Sequence, residues 1–175
     1  MGWFSNSMTA NRAANSIQLV GVMASMADSK LSLDNVNQFV AQQKQRAQGL
    51  SAQAFALQGA SSQLGCDLQR AVNDISTYLA QGHEVVEDLD SRMASLATII
   101  EQFNLPRGAR DLNMSGRDMT TLVTASAIEV RGNLEVLKRN HGDKVNAAVE
   151  TVDQADRQLN GDRSVRALGS IPRFE

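Results

Sequence analysis

Aromatic side chains are scarce in this chain of 175 residues, in which Phe, Tyr and Trp together make up 4% of the sequence. A compact globular core draws much of its buried area from these large side chains. Here the packing must come from small and aliphatic residues instead. This composition favours a thin helical bundle over a globular fold.

Other absences narrow the structure further. The chain contains only two prolines, Pro106 and Pro172, so about a hundred residues before the first of them hold no strong helix breaker. Its single cysteine, Cys66, excludes an intrachain disulfide. The most apolar stretch, 17–27, is too short to span a bilayer. We therefore expect an all-α protein held together by helix packing.

The most informative pattern is a run of apolar residues whose sequence steps alternate between three and four. Such steps place side chains on one helix face that packs along another helix. The same phase can be followed back to Val36, which predicts one helix over 34–103. A break near Gly59 or Gly65 is the alternative, because glycine weakens a helix. The run, which we call the packing seam, consists of Val86, Leu89, Met93, Leu96, Ile100 and Phe103.

A second long helix is predicted after a short connection. The segment 104–108 ends the first helix, because its proline lacks an N–H donor and its glycine permits a turn. Ser115 followed by Asp118 resembles a capping box, so the second helix should begin near 116. A mostly apolar stripe then continues to Leu159. A short connection brings the second helix back antiparallel to the first.

These elements predict an elongated antiparallel helical hairpin, or coiled coil, over residues 31–161, with its turn near 104–115. A shorter N-terminal amphipathic helix within residues 1–30 would pack on the first half of the long central helix, and residues 162–175 would form a flexible tail. Every cross-section would then hold only two helices, which bury little area at about 25 cal/mol per Å². We therefore expect self-association into a homodimer or a higher oligomer.

Common catalytic and cofactor motifs are missing from the sequence. It contains no glycine-rich phosphate loop, nucleophile elbow or Cys-x-x-Cys pair. Neither His83 nor His141 belongs to the Glu-x-x-His motif of di-iron bundles. A net charge of −2 argues against a general nucleic-acid binder. We expect no enzyme activity, no cofactor, no metal and no nucleic-acid partner.

Acidic residues are concentrated in the second half of the predicted central helix. They form either a solvated helix face or a docking patch for a basic protein partner. The arginines of the predicted turn are further candidates for partner binding. The candidate partner-binding residues are Glu84, Glu87, Asp88, Asp90, Arg107 and Arg110.

Two glycines suggest a mechanical role. Gly82 occupies a seam position, and Gly132 lies near the opposing stretch of the second arm. Facing glycines permit close helix approach or a local bend, because glycine has no Cβ and weakens a helix. We consider a hinge at these residues, with tolerated imperfection as the alternative.

The amino terminus offers a membrane alternative. Trp3 and Phe4 either plug the end of a bundle or contact a membrane interface. Residues 25–27 resemble a signal-peptide cleavage site, but Arg12 is the only charge before the apolar run and Gln18 interrupts it. We expect a cytoplasmic protein, with peripheral membrane contact as an alternative and secretion less favoured.

Residues 97–102, Ala-Thr-Ile-Ile-Glu-Gln, resemble the first part of the methylation pattern of methyl-accepting chemotaxis receptors. In that pattern small residues flank a Glu-Gln pair, whereas Leu105 and Pro106 follow here. The cytoplasmic part of these receptors is a long antiparallel hairpin with a glycine hinge. The resemblance implies a signalling module in which Glu101 or Gln102 is modified and the turn binds a kinase or adaptor.

The leading hypothesis is a non-enzymatic coiled-coil scaffold or assembly protein. It would act through helix–helix self-association and through an unknown protein partner. The signalling module is one alternative. A membrane- or granule-surface protein is another, since granule-coating phasins resemble this chain in size and in Ala/Gln-rich helices, and it requires residues 1–27 to bind the surface.

Overall fold

The computed structural model describes residues 2–106, 108 and 115–161, with side chains from residue 19 onward except that of Phe103. In this part the chain forms three long helices packed into a bundle. They are α1 (Gly2–Gln58), α2 (Gln63–Asn104) and α3 (Gly116–Asn160). The all-α prediction is confirmed, but the expected short helix on a long one is wrong, because α1 continues without interruption to Gln58.

The predicted continuous helix over 34–103 is also wrong, because the chain leaves helical geometry between Gln58 and Gln63. Gly59 adopts a φ of 84°, a left-handed conformation that favours glycine. Its N–H donates to the carbonyl of Phe55 at 2.9 Å and closes α1. The break considered near Gly59 is therefore the observed one.

Ser62 begins the next helix. Its Oγ accepts a hydrogen bond from the N–H of Gly65 at 3.0 Å, which is the contact of an N-cap residue. Ser51 of α1 donates to the carbonyl of Gly65 at 3.1 Å and joins the two helices next to the turn. Gly65 also makes room for Phe55, whose Cζ would lie 2.7 Å from an added Cβ.

The described residues divide into two compact units. The second unit contains 33–85 and 134–161, and its core draws on all three helices. Arg46 contacts Asp153, and Gln53 contacts Asn160, so α1 and α3 run parallel here. The expectation of two helices in every cross-section is therefore wrong for this unit. Its central cluster consists of Ala47, Leu50, Ala54, Leu68, Val152 and Ala155.

The first unit contains residues 2–32 and 86–133 among those described. Lys30 of α1 forms an ion pair with Asp90 of α2 at 2.6 Å. Arg92 of α2 reaches Glu129 of α3 at 2.6 Å. These pairs tie α2 to both of its neighbours. The buried apolar residues of this unit are Leu19, Met26, Leu89, Leu96, Ile99, Met119, Val123 and Val130.

The ends of α3 agree with the sequence prediction. The N–H of Asp118 donates to Ser115 Oγ at 3.1 Å, so Ser115 caps the helix that begins at Gly116. The helix ends before Gly161, which has a φ of 79°. Residues 107 and 109–114 of the connection, and the expected tail at 162–175, lie outside the described residues.

Candidate functional site

A row of apolar side chains on α1 is exposed in the first unit. Its members follow one another at steps of four, three and four, which places them on one helix face. Val20 is 56% exposed and Leu31 is 61% exposed, whereas neighbouring Leu19 and Met26 are buried in the core. We call this row the α1 stripe; it consists of Val20, Ala24, Ala27 and Leu31.

An open groove of about 360 Å³ lies between α2 and α3 in the same unit. Leu96 and Ile99 provide its apolar floor on α2, and Leu122 and Ala125 provide it on α3. Leu122 is 45% exposed. We call this surface the α2–α3 groove. It is another place in the described part of the first unit where apolar side chains meet solvent.

One end of the α2–α3 groove is closed by charged side chains. Arg92 Nε donates to Asp88 Oδ2 at 2.7 Å, and its terminal nitrogens bind Glu129 and Ser126. The hydrogen bond to Asp88 raises the pKa of Arg92, Glu129 adds to this rise, and burial opposes it. Arg92 therefore stays charged, and its donors are committed within the unit.

The α1 stripe and the α2–α3 groove lie at one level along the helices of the first unit. The ion pair between Lys30 and Asp90 aligns α1 with α2, and that between Arg92 and Glu129 aligns α2 with α3. Lys30, which adjoins the stripe residue Leu31, contacts Asp90 of α2. The groove is lined by Arg92, which lies about 200° around α2 from Asp90 at 3.6 residues per turn, so the Lys30 contact and the groove are on different sides of α2.

A larger groove, of about 630 Å³, lies between α1 and α2 in the second unit. The amides of Gln48, Gln69 and Asn73 line it together with the apolar side chains of Phe55 and Val72. This surface is more polar than the α2–α3 groove. It offers less continuous apolar surface to a partner helix.

A buried hydrogen bond joins α1 and α2 in the second unit. Tyr78 Oη donates to Asn37 Oδ1 at 2.6 Å, and Asn37 is only 4% exposed. Burial raises the pKa of Tyr78, so its hydroxyl remains protonated and able to donate. Asn37 Nδ2 has no hydrogen-bond partner among the described residues. Gly82 accommodates this amide, because an added Cβ would lie 2.8 Å from Asn37 Oδ1.

His141 of α3 belongs to the same buried region. Its Nε2 lies 2.7 Å from Gln81 Oε1, and its ring meets that of Tyr78 edge-on at a centroid distance of 6.2 Å. His83, in contrast, is exposed. His141 thus has a structural partner on α2.

A cluster of charged side chains links α1 and α3 in the second unit. Arg46 donates to Asp153 at 2.7 Å and also forms an ion pair with Asp156. Burial lowers the pKa of Arg46, but the hydrogen bonds to Asp156 and Asp153 outweigh this effect and leave it raised. Gln43 accepts a further hydrogen bond from Arg46 at 3.1 Å. The cluster is a structural contact between α1 and α3.

The predicted packing seam occupies varied environments in the described residues. Leu89 and Leu96 are buried, while Val86, Met93 and Ile100 are half-buried. The side chain of Phe103 lies outside the described residues.

The candidate partner-binding residues are divided by the structure. Glu84 and Glu87 are exposed, but Asp88 and Asp90 form ion pairs with Arg92 and Lys30. The sequence did not indicate that these two carboxylates have internal partners. The remaining candidates, Arg107 and Arg110, lie outside the described residues, as do the side chains of Trp3 and Phe4.

The candidate hinge glycines differ in their surroundings. Gly82 is buried against Asn37, whereas an added Cβ at Gly132 would meet nothing within 4 Å. The hinge stays a prediction. Glu101 is exposed and Gln102 is half-buried, so Glu101 presents its carboxylate to solvent.

Neither exposed surface of the first unit was identified from the sequence. Within 17–27 the exposed Val20 and Ala27 are spaced seven positions apart, as are the buried Leu19 and Met26. Periodicity alone could not tell which row was covered. The apolar periodicity predicted for the second long helix, over 119–159, included Leu122. Nothing in that periodicity indicated that Leu122 would be exposed in the α2–α3 groove.

Among the described residues, no three His, Cys, Asp or Glu side chains come together in a way that could hold a metal ion. None of the helices in this part of the chain is long and apolar enough to cross a membrane.

Comparison with known proteins identifies no relative. No protein-family model matches this chain, and neither the curated proteins nor the solved structures give a match. Its function is therefore inferred from the burial, contacts and charges of its own residues.

Proposed function

We propose that this chain is a non-enzymatic helical assembly protein that associates with a second copy of itself through its first unit. The α1 stripe is the observation that carries this proposal. Single exposed apolar residues are normal on protein surfaces, but a continuous row at helix-packing steps is typical of a contact surface. Val20 and Leu31 provide the large side chains of that row, at 56% and 61% exposure.

The sequence predicted self-association because a two-helix cross-section would bury too little core area. The second unit has a core built from three helices, so this shortage does not apply there. The proposal therefore depends on the α1 stripe. Fully burying a Val or Leu side chain contributes about 1.5–3 kcal/mol. Covering the exposed parts of Val20 and Leu31 would therefore contribute about 2–3 kcal/mol per copy, which is a useful but incomplete share of a dimer interface.

Light scattering on the full chain tests this function. At micromolar concentration we expect a mass of twice 18.9 kDa. The double variant Val20→Ser/Leu31→Ser should shift towards the single-chain mass, because it removes the large apolar side chains of the stripe without touching the core.

Leu57→Ser is the matched control for this experiment. Leu57 is 68% exposed, as much as either stripe residue, but it lies at the end of α1 in the second unit. Its replacement should leave the dimer mass unchanged. A single-chain mass for the unsubstituted protein, or an equal effect of the control, would contradict the proposed function.

No contact among the described residues bears on the other expected activities. Binding of a further protein partner, and signalling through a modified Glu101 or Gln102, stay predictions. Peripheral membrane contact through Trp3 and Phe4 stays a prediction as well.

A further inference from the structure

We infer that two copies associate about a two-fold axis parallel to the helices of the first unit, with the α1 stripe of each copy seated in the α2–α3 groove of the other. This inference rests on the proposed self-association and names the surfaces that carry it. The occupant of the groove is thus a defined segment of a second copy, residues 20–31.

The stripe and the groove match in level and in length. Counting six residues from the Lys30–Asp90 pair places Ala24 level with Leu96, and the Arg92–Glu129 pair places Leu96 level with Ala125. The stripe extends over eleven steps of helix from 20 to 31. The α2 wall of the groove covers the same length from 88 to 99, which is about 17 Å at 1.5 Å per residue.

With two-fold symmetry, the matching stripe and groove form two reciprocal contacts that limit the assembly to two copies. A two-fold axis parallel to the helices keeps every residue at its own level and sets α2 of one copy opposite α2 of the other. A surface on one side of α2 then meets the surface on the other side of the partner's α2. Because the stripe and the groove flank α2, both contacts form together and the assembly ends at two copies.

The area required for a stable dimer favours this arrangement over pairing of two stripes. A standard interface uses about 20–30 residues on each side. Two paired stripes contribute four residues a side and leave Leu122 exposed. Reciprocal seating adds the ten residues that line the groove on each copy. Exposed small residues of α2 between the two surfaces, such as Ala94 and Thr98, add further contacts and bring the interface closer to the standard size.

The side chains also suit close approach of helices. Ala24 and Ala27 occupy the middle of the stripe, and Ser95, Ala125 and others of similar size line the groove. Small residues let a helix ridge enter the groove between two others, while Val20 and Leu31 fill space at the two ends. Each α1 would then pack against α2 and α3 of the other copy, in addition to the helices of its own unit.

Disulfide trapping tests the pairing directly. Because Cys66 is the only cysteine, a Cys66→Ser background lets one new thiol be placed per chain. Ala24→Cys marks the stripe and Ala125→Cys marks the groove, and both positions are exposed. After mild oxidation of an equimolar mixture, we expect a shift to a covalently linked pair of one chain of each kind.

Controls separate this inference from the proposed function. Thr124→Cys, exposed beside Ala125 but outside the groove lining, should give no bond with Ala24→Cys. The double variant Ala24→Cys/Ala125→Cys should form a closed covalent dimer.

The outcomes against the inference are distinct. Self-linking of Ala24→Cys alone, a ladder of larger species from the double variant, or a dimer mass without any bond in the mixture would each overturn the reciprocal pairing while self-association stands. A single-chain mass in light scattering would overturn both.

Discussion

Asn37 is a polar residue in a core position, and its surroundings explain why α1 and α2 have one alignment. On α1 the buried residues Leu33, Val40 and Ala47 repeat every seven positions, so a shift by seven would preserve much of the apolar pattern. Such a shift would remove Asn37 from Tyr78 and leave its buried amide without its hydrogen bond. A polar residue in a helical core can fix register in this way.

The two candidate hinge glycines should respond oppositely to alanine. We expect Gly82→Ala to lower the free energy of unfolding by about 1–3 kcal/mol, because the new Cβ would press on Asn37. Gly132→Ala, at an exposed and open position, should raise it by up to about 1 kcal/mol through helix propensity. Urea unfolding measures both values, and changes of the same sign would contradict this account.

Asn37 also shows that the sequence could not predict the burial and the partners of this single polar residue. The predicted seam placed Val36 on the buried side, but Val36 is half-buried and Asn37 is 4% exposed. The predicted seam does not include Asn37. The partners of Asn37 are Tyr78 and the space above Gly82, and both lie more than forty positions away along the chain.

The boundary between α1 and α2 depends on local chemistry that periodicity conceals. The apolar steps keep their phase through Leu57, Ser61 and Leu64, so they predict one helix across the turn. In the structure Leu57 is 68% exposed, and the helix ends because Gly59 adopts a left-handed conformation. The start of α3 was predictable, since Ser115 followed by Asp118 is a strong local signal and no competing pattern runs through it.

The role of Ser62 as the cap at the start of α2 can be tested by substitution. Ser62→Ala removes the acceptor for the N–H of Gly65 and the hydroxyl bound to Gln58, so we expect a loss of about 1–2 kcal/mol in unfolding free energy. Ser61→Ala is the matched control, because Ser61 is exposed and neighbours the cap. Thermal unfolding of the two variants should differ clearly; equal stabilities would show that Ser62 does not hold the helix start.

For the whole molecule, the sequence predicted helices better than it predicted which of their faces would be covered. Leu19 and Val20 are adjacent and similarly apolar, yet one is buried and the other is 56% exposed. The difference arises because helix segments far along the chain cover only one side of α1. The exposure of the α1 stripe therefore follows from the packing of the helices and not from the local sequence.

The Arg46 cluster is the contact that most directly makes three helices into a bundle in the second unit. It joins α1 to α3 across more than a hundred residues, whereas α1–α2 and α2–α3 contacts are between helices consecutive in the chain. The side chains of Asp153 and Asp156 are 10% and 8% exposed. Arg46 donates to both carboxylates, and Asn160 Nδ2 also donates to Asp156 Oδ1 at 2.8 Å.

Removing Arg46 should consequently weaken the bundle far more than removing an exposed arginine. We expect Arg46→Met to lower the unfolding free energy by about 3 kcal/mol, because two buried carboxylates lose their cation. Arg70→Met is the control; Arg70 is 72% exposed beside Asp67, and its loss should cost less than about 0.5 kcal/mol. Adding Asp153→Asn and Asp156→Asn to the first variant should restore part of the loss, since it removes two buried negative charges that Arg46 no longer balances. Urea unfolding compares the three, and equal stability of the two single variants would mean that α1 and α3 are not held together through this cluster.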